Sequence, residues 1–368
     1  LAAAEEGRLA DARALYDQLI AANRATRQTQ RDAEDLADAA DMAESARLAY
    51  AAADFRDAAR RYVEAAELAP EGARERWLYR LRQANSLIVL GERLGDAADL
   101  RAAVETYEHI ALPLVPRERR PDDWAMTQND LGTALQALGE RGDDGALQRA
   151  VAAYEATLVV FTREADPQRW AVSHVNLGNT LTTMSERGDD DAAERALAAY
   201  EAALTVLTRK LAPRYWAYAQ GGLGQLLVRL GEHGDTTALS RAVTAYDRAL
   251  TVLTREMDPH GWAVLQGGLG SALRVLGERG DVASLVPAVA AFEAALTVRT
   301  PEADPRGWAR TQYNLSLAHR ARLSNGIRTA RTEALAAARA ALFGYEQIGD
   351  ASLIGKARDL IAELESTQ

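Results

Sequence analysis

Apolar residues recur along most of the chain on a helical period. Over residues 124–140, Trp124, Leu131, Leu135 and Leu138 stand seven, four and three residues apart and line one stripe of a helix. A second stripe follows in Leu147, Ala150, Val151, Tyr154 and Leu158, spaced three, one, three and four, and predicts a second helix running to about residue 162. Gly139 suits a left-handed position at the end of the first helix, and Asp143, after Gly142, is placed to accept a backbone N–H at the start of the second. The result is a helical hairpin of helix A and helix B. Neither helix can hide its stripe alone.

The same plan returns at a fixed interval. Trp77, Trp124, Trp170, Trp216, Trp262 and Trp308 follow one another at 47, 46, 46, 46 and 46 residues. The aspartate of the A–B turn recurs as Asp96, Asp189, Asp235 and Asp281, and Pro121, Pro167, Pro213, Pro259 and Pro305 each close a unit three residues before the next tryptophan. Stacked hairpins bury both stripes in a continuous core without long-range contacts. The expected fold class is all-α, a right-handed superhelical solenoid of stacked helical hairpins. The place of the tryptophans at the head of helix A fits packing between units better than a ligand cage or stacking platform. Pro287 breaks the pattern: inside a helix B starting at Asp281 it would cost about 3 kcal/mol. A late or irregular start near Ser284 is predicted instead.

The residues also carry a resemblance. Leu131-Gly132 with Ala150, Tyr154 and Thr157; Leu177-Gly178 with Ala196, Tyr200 and Ala203; Leu223-Gly224 with Ala242, Tyr246 and Ala249; and Leu269-Gly270 with Ala288, Phe292 and Ala295 resemble the tetratricopeptide-repeat signature. The period exceeds the usual length of about 34, through an extended GERGD turn and a longer end to helix B. In this it is similar to the long repeats of kinesin light chains and of bacterial signalling proteins that join such arrays to a caspase-like or other effector domain. The resemblance divides the chain into N-terminal helices with a partial repeat at 1–36, a standard-length repeat at 37–70, six long repeats over 71–349 and a capping helix at 350–368. Residues 1–24 read as an amphipathic helix. In the unit at Trp77, Ala84 replaces the glycine and Leu94 is an extra turn residue. In the unit at Trp308, Asn314-Leu315-Ser316 lacks the glycine and Ala338 replaces the aromatic, a drift that suits a terminal repeat.

Composition narrows the functions. With 43 basic against 53 acidic residues the net charge is −10, which argues against a nucleic-acid partner. Cysteine is absent, so disulfides and thiol chemistry are excluded. No apolar run reaches the roughly 18–20 residues that cross a bilayer. No membrane partner is expected, and the chain reads as soluble and cytoplasmic. It begins with Leu1 rather than methionine, which points to a segment of a longer protein.

Several motifs imitate chemistry. Gln220-Gly221-Gly222-Leu223-Gly224 and Gln266-Gly267-Gly268-Leu269-Gly270 are glycine-rich but follow no strand, as a phosphate cradle requires. Their first two glycines, which the signature does not demand, are expected to open shallow troughs on the inner surface. Asp189-Asp190-Asp191 stands where neighbouring units carry a capping aspartate, and no glutamate follows at the spacing of a calcium loop. The five histidines form no pair at zinc-binding spacing, and no serine stands in a nucleophile elbow. The GERGD turns, with Arg93, Arg141, Arg187 and Arg279, read as a locally neutralised rim. No enzyme activity, cofactor or metal is expected.

In the resembled family, helix A lines a concave face that takes extended peptides or helices. Transferred by register, the partner-binding residues are Arg82 and Asn85; Asn129, Asp130, Thr133 and Gln136; Asn176, Asn179 and Thr183; Gly221, Gly222, Gln225 and Arg229; Gly267, Gly268, Ser271 and Arg274; and Tyr313, Asn314 and Arg320. Amides offer donor and acceptor to a peptide backbone, and Arg229, Arg274 and Arg320 are suited to acidic groups. The lysine of a chaperone carboxylate clamp is missing, its position being held by Asn129, Val175, Gly221 and Gly267. The expected function is a non-catalytic scaffold for a protein or peptide. The alternatives are a regulatory or sensor module of a larger bacterial signalling or defence protein, whose partner is an effector domain of the same polypeptide, and small-molecule binding at the Gly-Gly troughs.

Overall fold

The computed structural model describes residues 2–366; the side chains of residues 1–14, Tyr16 and Asp190 lie outside what it describes, and with them much of the amphipathic face expected over residues 1–24. The described residues form α-helices joined by short turns, with no strand. They fall into two compact units, Leu1–Val160 and Phe161–Gln368. The first contains α1 (Ala2–Ala51), α2 (Phe55–Leu68), α3 (Arg74–Leu94), α4 (Ala97–Thr106), α5 (Pro121–Glu140) and α6 (Asp144–Leu158). The second contains α7 (Pro167–Glu186), α8 (Asp190–Leu204), α9 (Pro213–Glu232), α10 (Thr236–Leu250), α11 (Pro259–Glu278), α12 (Leu285–Leu296), α13 (Pro305–Ser324), α14 (Ala330–Ile348) and α15 (Ala351–Ser366). Within each unit, helices consecutive in sequence pack as hairpins and each hairpin packs on the next, the stacked all-α arrangement expected from the sequence. α1 runs unbroken where separate N-terminal helices are expected; its second half buries Ala39, Ala43 and Ala46 against Tyr62, Ala65 and Ala66 of α2.

The helix boundaries follow from cap chemistry, with two corrections. The prolines expected to close each unit instead open helix A: Pro121, Pro167, Pro213, Pro259 and Pro305 are each its first residue, where the missing N–H costs nothing. Before three of them an aspartate caps the helix, Asp166 accepting from the Arg169 N–H, Asp258 from that of Gly261 and Asp304 from that of Gly307. Gly139 is helical rather than left-handed. The turn is made by Gly142, Gly188, Gly234 and Gly280, with φ of +105°, +98°, +123° and +110°. Gly139 is required for a different reason, since a Cβ there would lie 2.2 Å from Leu147 of helix B. Asp96, Asp143, Asp189 and Asp235 cap helix B as expected, whereas Asp281 makes no capping bond to a backbone N–H and accepts from the Ser284 hydroxyl at 2.6 Å. Pro287 has the predicted effect: a short 3-10 turn, Val282–Ser284, precedes α12 and leaves the proline in its first turn.

The tetratricopeptide-like signature has a contact behind it. Gly132, Gly178, Gly224 and Gly270 on helix A lie under the rings of Tyr154, Tyr200, Tyr246 and Phe292 on helix B, where a Cβ would come within 2.7–2.9 Å of the ring. These rings are almost wholly buried and form the centre of each hairpin.

The tryptophans are not all equivalent. Trp77 is 1% exposed, whereas Trp124, Trp170, Trp216, Trp262 and Trp308 are half-buried. Gly91 backs onto Leu100 as Gly139 backs onto Leu147, and Asn85 meets the Tyr107 hydroxyl as Thr133 meets that of Tyr154. Both contacts place the register of α3 48 residues before that of α5, so Trp77 stands one residue later than its counterparts, at the level of the fully buried Ala125. There its indole N–H donates to Thr127 Oγ1 at 2.9 Å. The half-buried rings of Trp124, Trp170 and Trp262 are covered by Arg117, Arg163 and Arg255 at 5.2–5.9 Å.

Candidate functional site

The expected site residues lie on the helices A, and the hairpin core fixes many of them. In the first unit, Asn85 Oδ1 accepts a hydrogen bond from the Tyr107 hydroxyl at 2.6 Å. Thr133 Oγ1 lies 3.2 Å from the Tyr154 hydroxyl, which also reaches Gln136 Oε1 at 3.5 Å. In the second, Asn179 Oδ1 accepts from the Tyr200 hydroxyl at 2.7 Å. The buried tyrosines of helix B thus hold polar groups on helix A in fixed orientation. Burial raises the pKa of each, Tyr154 with the Asp130 charge adding to it and the Thr133 bond opposing, so all three stay protonated donors at neutral pH.

Asp130 and Asn129 adjoin this row. Asn85 Nδ2 and Asn129 Nδ2 each donate to the part-buried Asp130 carboxylate at 3.4 Å. Arg82 is exposed on α3 with its guanidinium 6.0 Å from the Tyr62 ring. In the second unit, Asn176 and Thr183 are half-buried on α7, and Gln225 on α9 donates to Glu186 at 2.8 Å. Ser271 Oγ donates to the carbonyl of Gly267, and Asn314 is half-buried beside Tyr313, whose ring packs 6.3 Å from that of Tyr345.

The expected glycine troughs are filled. A Cβ on Gly222 would meet the Tyr200 hydroxyl at 2.6 Å and Asn179 Oδ1 at 2.8 Å; one on Gly268 would meet the Tyr246 ring at 2.4 Å. Gly221 faces Leu265 and Gly267 faces the Arg299 guanidinium, at 2.7 and 3.3 Å from the missing Cβ. Gly222 and Gly268 thus admit the tyrosines of the preceding hairpins, while half-buried Gly221 and Gly267 each face one neighbouring side chain.

The three arginines read as partners for acidic groups are engaged inside the chain. Arg274 is buried and pairs with Glu278 at 2.6 Å and Glu232 at 3.6 Å. Arg320 pairs with Glu363 of α15 at 3.0 Å. Arg229 donates to the carbonyl of Ser185 at 3.0 Å, at the C-terminus of α7. The turn arginines act likewise: Arg141 donates to the carbonyl of Gly91 at 3.1 Å and Arg279 to that of Glu232 at 3.0 Å. Arg141, Arg229 and Arg279 thus brace the negative ends of the preceding helices A, whereas Arg93 lies 4.9 Å from the Phe55 ring.

Sequence reasoning missed two features. Tyr218, Val264 and Arg310, one turn before the expected row, are exposed, and the Tyr218 hydroxyl donates to Asp258 at 2.7 Å. Leu211, Tyr215 and Met257 are also exposed apolar side chains of this unit, at 77, 45 and 59%. The second is Arg299, 4% exposed where the 46-residue register puts Phe161, Leu207 and Leu253. It donates to Thr311 Oγ1 at 2.9 Å and pairs with Asp304 at 3.3 Å. Burial, then the Arg310 charge, push its pKa down to about 10 against the opposing pull of Asp304.

The chain repeats one helical hairpin. No family model matches the chain, and no curated protein matches it. Among solved structures it is similar to the TPR2AB domain of yeast Sti1 in complex with pHSP90, at 18% identity over 90% of this chain and 99% of that one, with a TM-score of 0.29. It is also similar to a circular tandem repeat protein with novel repeat topology and enhanced subunit contact surfaces, at 16% identity over 89% of this chain and 82% of that one, with a TM-score of 0.28. Among the described residues no three His, Asp or Glu side chains converge to hold a metal, and no helix is long and apolar enough to cross a membrane.

Proposed function

We propose that the chain is a non-catalytic scaffold that binds an extended peptide or a folded protein along the outward stripe of its helices A, in the cytoplasm. The observation that carries this reading is made in each unit by itself: amide and hydroxyl groups on helices A have their orientation set from beneath by buried tyrosine hydroxyls, Asn85 by Tyr107 and Thr133 by Tyr154 in the first, Asn179 by Tyr200 in the second. Groups ordered before binding lose little entropy when a partner arrives. In the second unit, exposed Tyr218 and Val264 add apolar contact area to its own helices A. The division into a standard-length repeat at 37–70, long Trp-led repeats over 71–349 and a cap at 350–368 belongs to this reading, as does kinship with the long repeats of kinesin light chains.

The test is affinity capture from a lysate followed by titration of the captured partner. Asn176→Arg with Gln225→Arg places bulk and charge on the stripe; Glu201→Arg places the same group on an exposed position of α8. The double variant is expected to lose binding and Glu201→Arg to keep it. Unchanged affinity in the double variant, with its melting curve intact, overturns the proposal.

A further inference from the structure

The first unit holds two carboxylates on α5 in opposite electrostatic settings. Asp123 is buried and receives Arg74 at 2.6 Å and Arg120 at 2.7 Å. Burial alone would raise its pKa, but the hydrogen bonds from the two guanidinium groups outweigh burial and hold it below the usual carboxylate range. Asp130, two turns along the same helix, has no such partner. Its contacts are two amide donors, both at the long distance of 3.4 Å, and it makes no ion pair among the described residues. Burial raises its pKa and the two amides only partly offset this.

The neighbours do not supply the missing charge. The Tyr107 hydroxyl is committed to Asn85 Oδ1, which turns the Asn85 amide nitrogen toward Asp130. Arg82, which shares the register of Asp130 one hairpin earlier, lies over Tyr62. In later hairpins the position is held by Asn176, Gly222, Gly268 and Asn314, so an acid here is not demanded by packing. A part-buried anion without a counter-ion costs stability, and a scaffold tolerates that cost where a ligand supplies the counter-ion.

We propose that Asp130 receives the ammonium or guanidinium group of a lysine or arginine side chain on an extended peptide laid along α3 and α5. The proposal rests on the scaffold reading above. A single carboxylate flanked by neutral amides matches one organic monocation, and the lone pairs left by two long amide bonds accept its N–H groups. The net charge of −10 favours the approach of a basic partner.

A random dodecapeptide phage library panned on the full chain tests this. The expected result is enrichment of lysine or arginine at one position. The resynthesised peptide should bind Asp130→Asn at least about ten-fold more weakly than wild type. Replacing its basic residue by methionine should cause the same loss on wild type and no further loss on Asp130→Asn. The methionine peptide is measured on the unaltered protein, so this arm is independent of how the variant folds. If peptides bind wild type with no basic preference and equal affinity for Asp130→Asn, the Asp130 assignment falls while the scaffold stands. If wild type retains no peptide, the Asp130 assignment falls and the scaffold reading keeps only its folded-protein form.

Discussion

The Cβ that Gly222 lacks would lie 2.6 Å from the Tyr200 hydroxyl, closer than any side chain can approach. The glycine of α9 is therefore the seat of a tyrosine from the preceding hairpin. Gly221, its neighbour, faces only the Cδ2 methyl of Leu265.

This difference separates two otherwise identical substitutions. Each Gly→Ala gains about 1 kcal/mol of helix propensity. Gly222→Ala must displace a buried tyrosine and the Asn179 amide, and is expected to destabilise by about 1–3 kcal/mol net. Gly221→Ala needs only the shift of a leucine methyl and should remain within about 1 kcal/mol of wild type. Urea unfolding midpoints of both variants check the contrast; equal effects would mean that the tyrosine does not fill that space.

The tryptophans should likewise part company. Trp77→Ala removes a fully buried ring and leaves Thr127 without its indole donor, at a cost of about 3–5 kcal/mol. Trp262 is half-buried under Arg255, so Trp262→Ala is expected to cost about 1–3 kcal/mol. Thermal unfolding of the two variants gives the order, and an equal or reversed order would refute the register shift assigned to α3.

That shift shows where the pattern of residues was legible and where it was not. Hairpins, turn aspartates, the effect of Pro287 and the glycine–aromatic signature can all be read along the chain, because each depends on spacing within one hairpin. The tryptophan interval of 47 reads as a single insertion, Leu94, in an otherwise regular series. In fact a second extra residue, accommodated by the π-helical turn Tyr107–Ala111, accompanies a tryptophan displaced by one position. The internal pairing of Arg229, Arg274 and Arg320 depends on where long side chains turn once hairpins stack, which no spacing encodes. Arg299 was legible in principle, since an arginine in register with Phe161, Leu207 and Leu253 breaks the apolar rule.

Arg299 also yields a double-substitution test. The preceding hairpin has Leu253 at the register of Arg299 and Leu265 at that of Thr311, both buried. Arg299→Leu alone removes the guanidinium from Thr311 and leaves space beside a short side chain, so it should be close to neutral. Arg299→Leu with Thr311→Leu restores the apolar pair and is expected to stabilise by about 1–2 kcal/mol, while Asp304 keeps its capping bond to Gly307. A double-mutant cycle from denaturant melts measures this. An additive result, or a destabilised double variant, would mean that the two positions do not share one site.

Asp130 makes a prediction about pH whose sign follows from burial. Its pKa in the folded chain is raised above the ordinary 3.8. Between 3.8 and the raised value the folded chain holds a proton that the unfolded chain has released, so the stability contributed by this group falls as pH rises through that window. Above the window the cost of the unpaired anion is present in full. The amide introduced by Asp130→Asn does not titrate. This variant should therefore be more stable than wild type at pH 7, by roughly 1 kcal/mol, and the difference should shrink as pH falls toward 4. Asp123 and Asp57, whose pKa values are lowered, titrate in the opposite sense in both proteins and cancel in the comparison. Paired urea melts at pH 7, 5 and 4 make the measurement. A difference independent of pH, or a variant less stable than wild type at pH 7, would show that the Asp130 charge is already compensated within the chain.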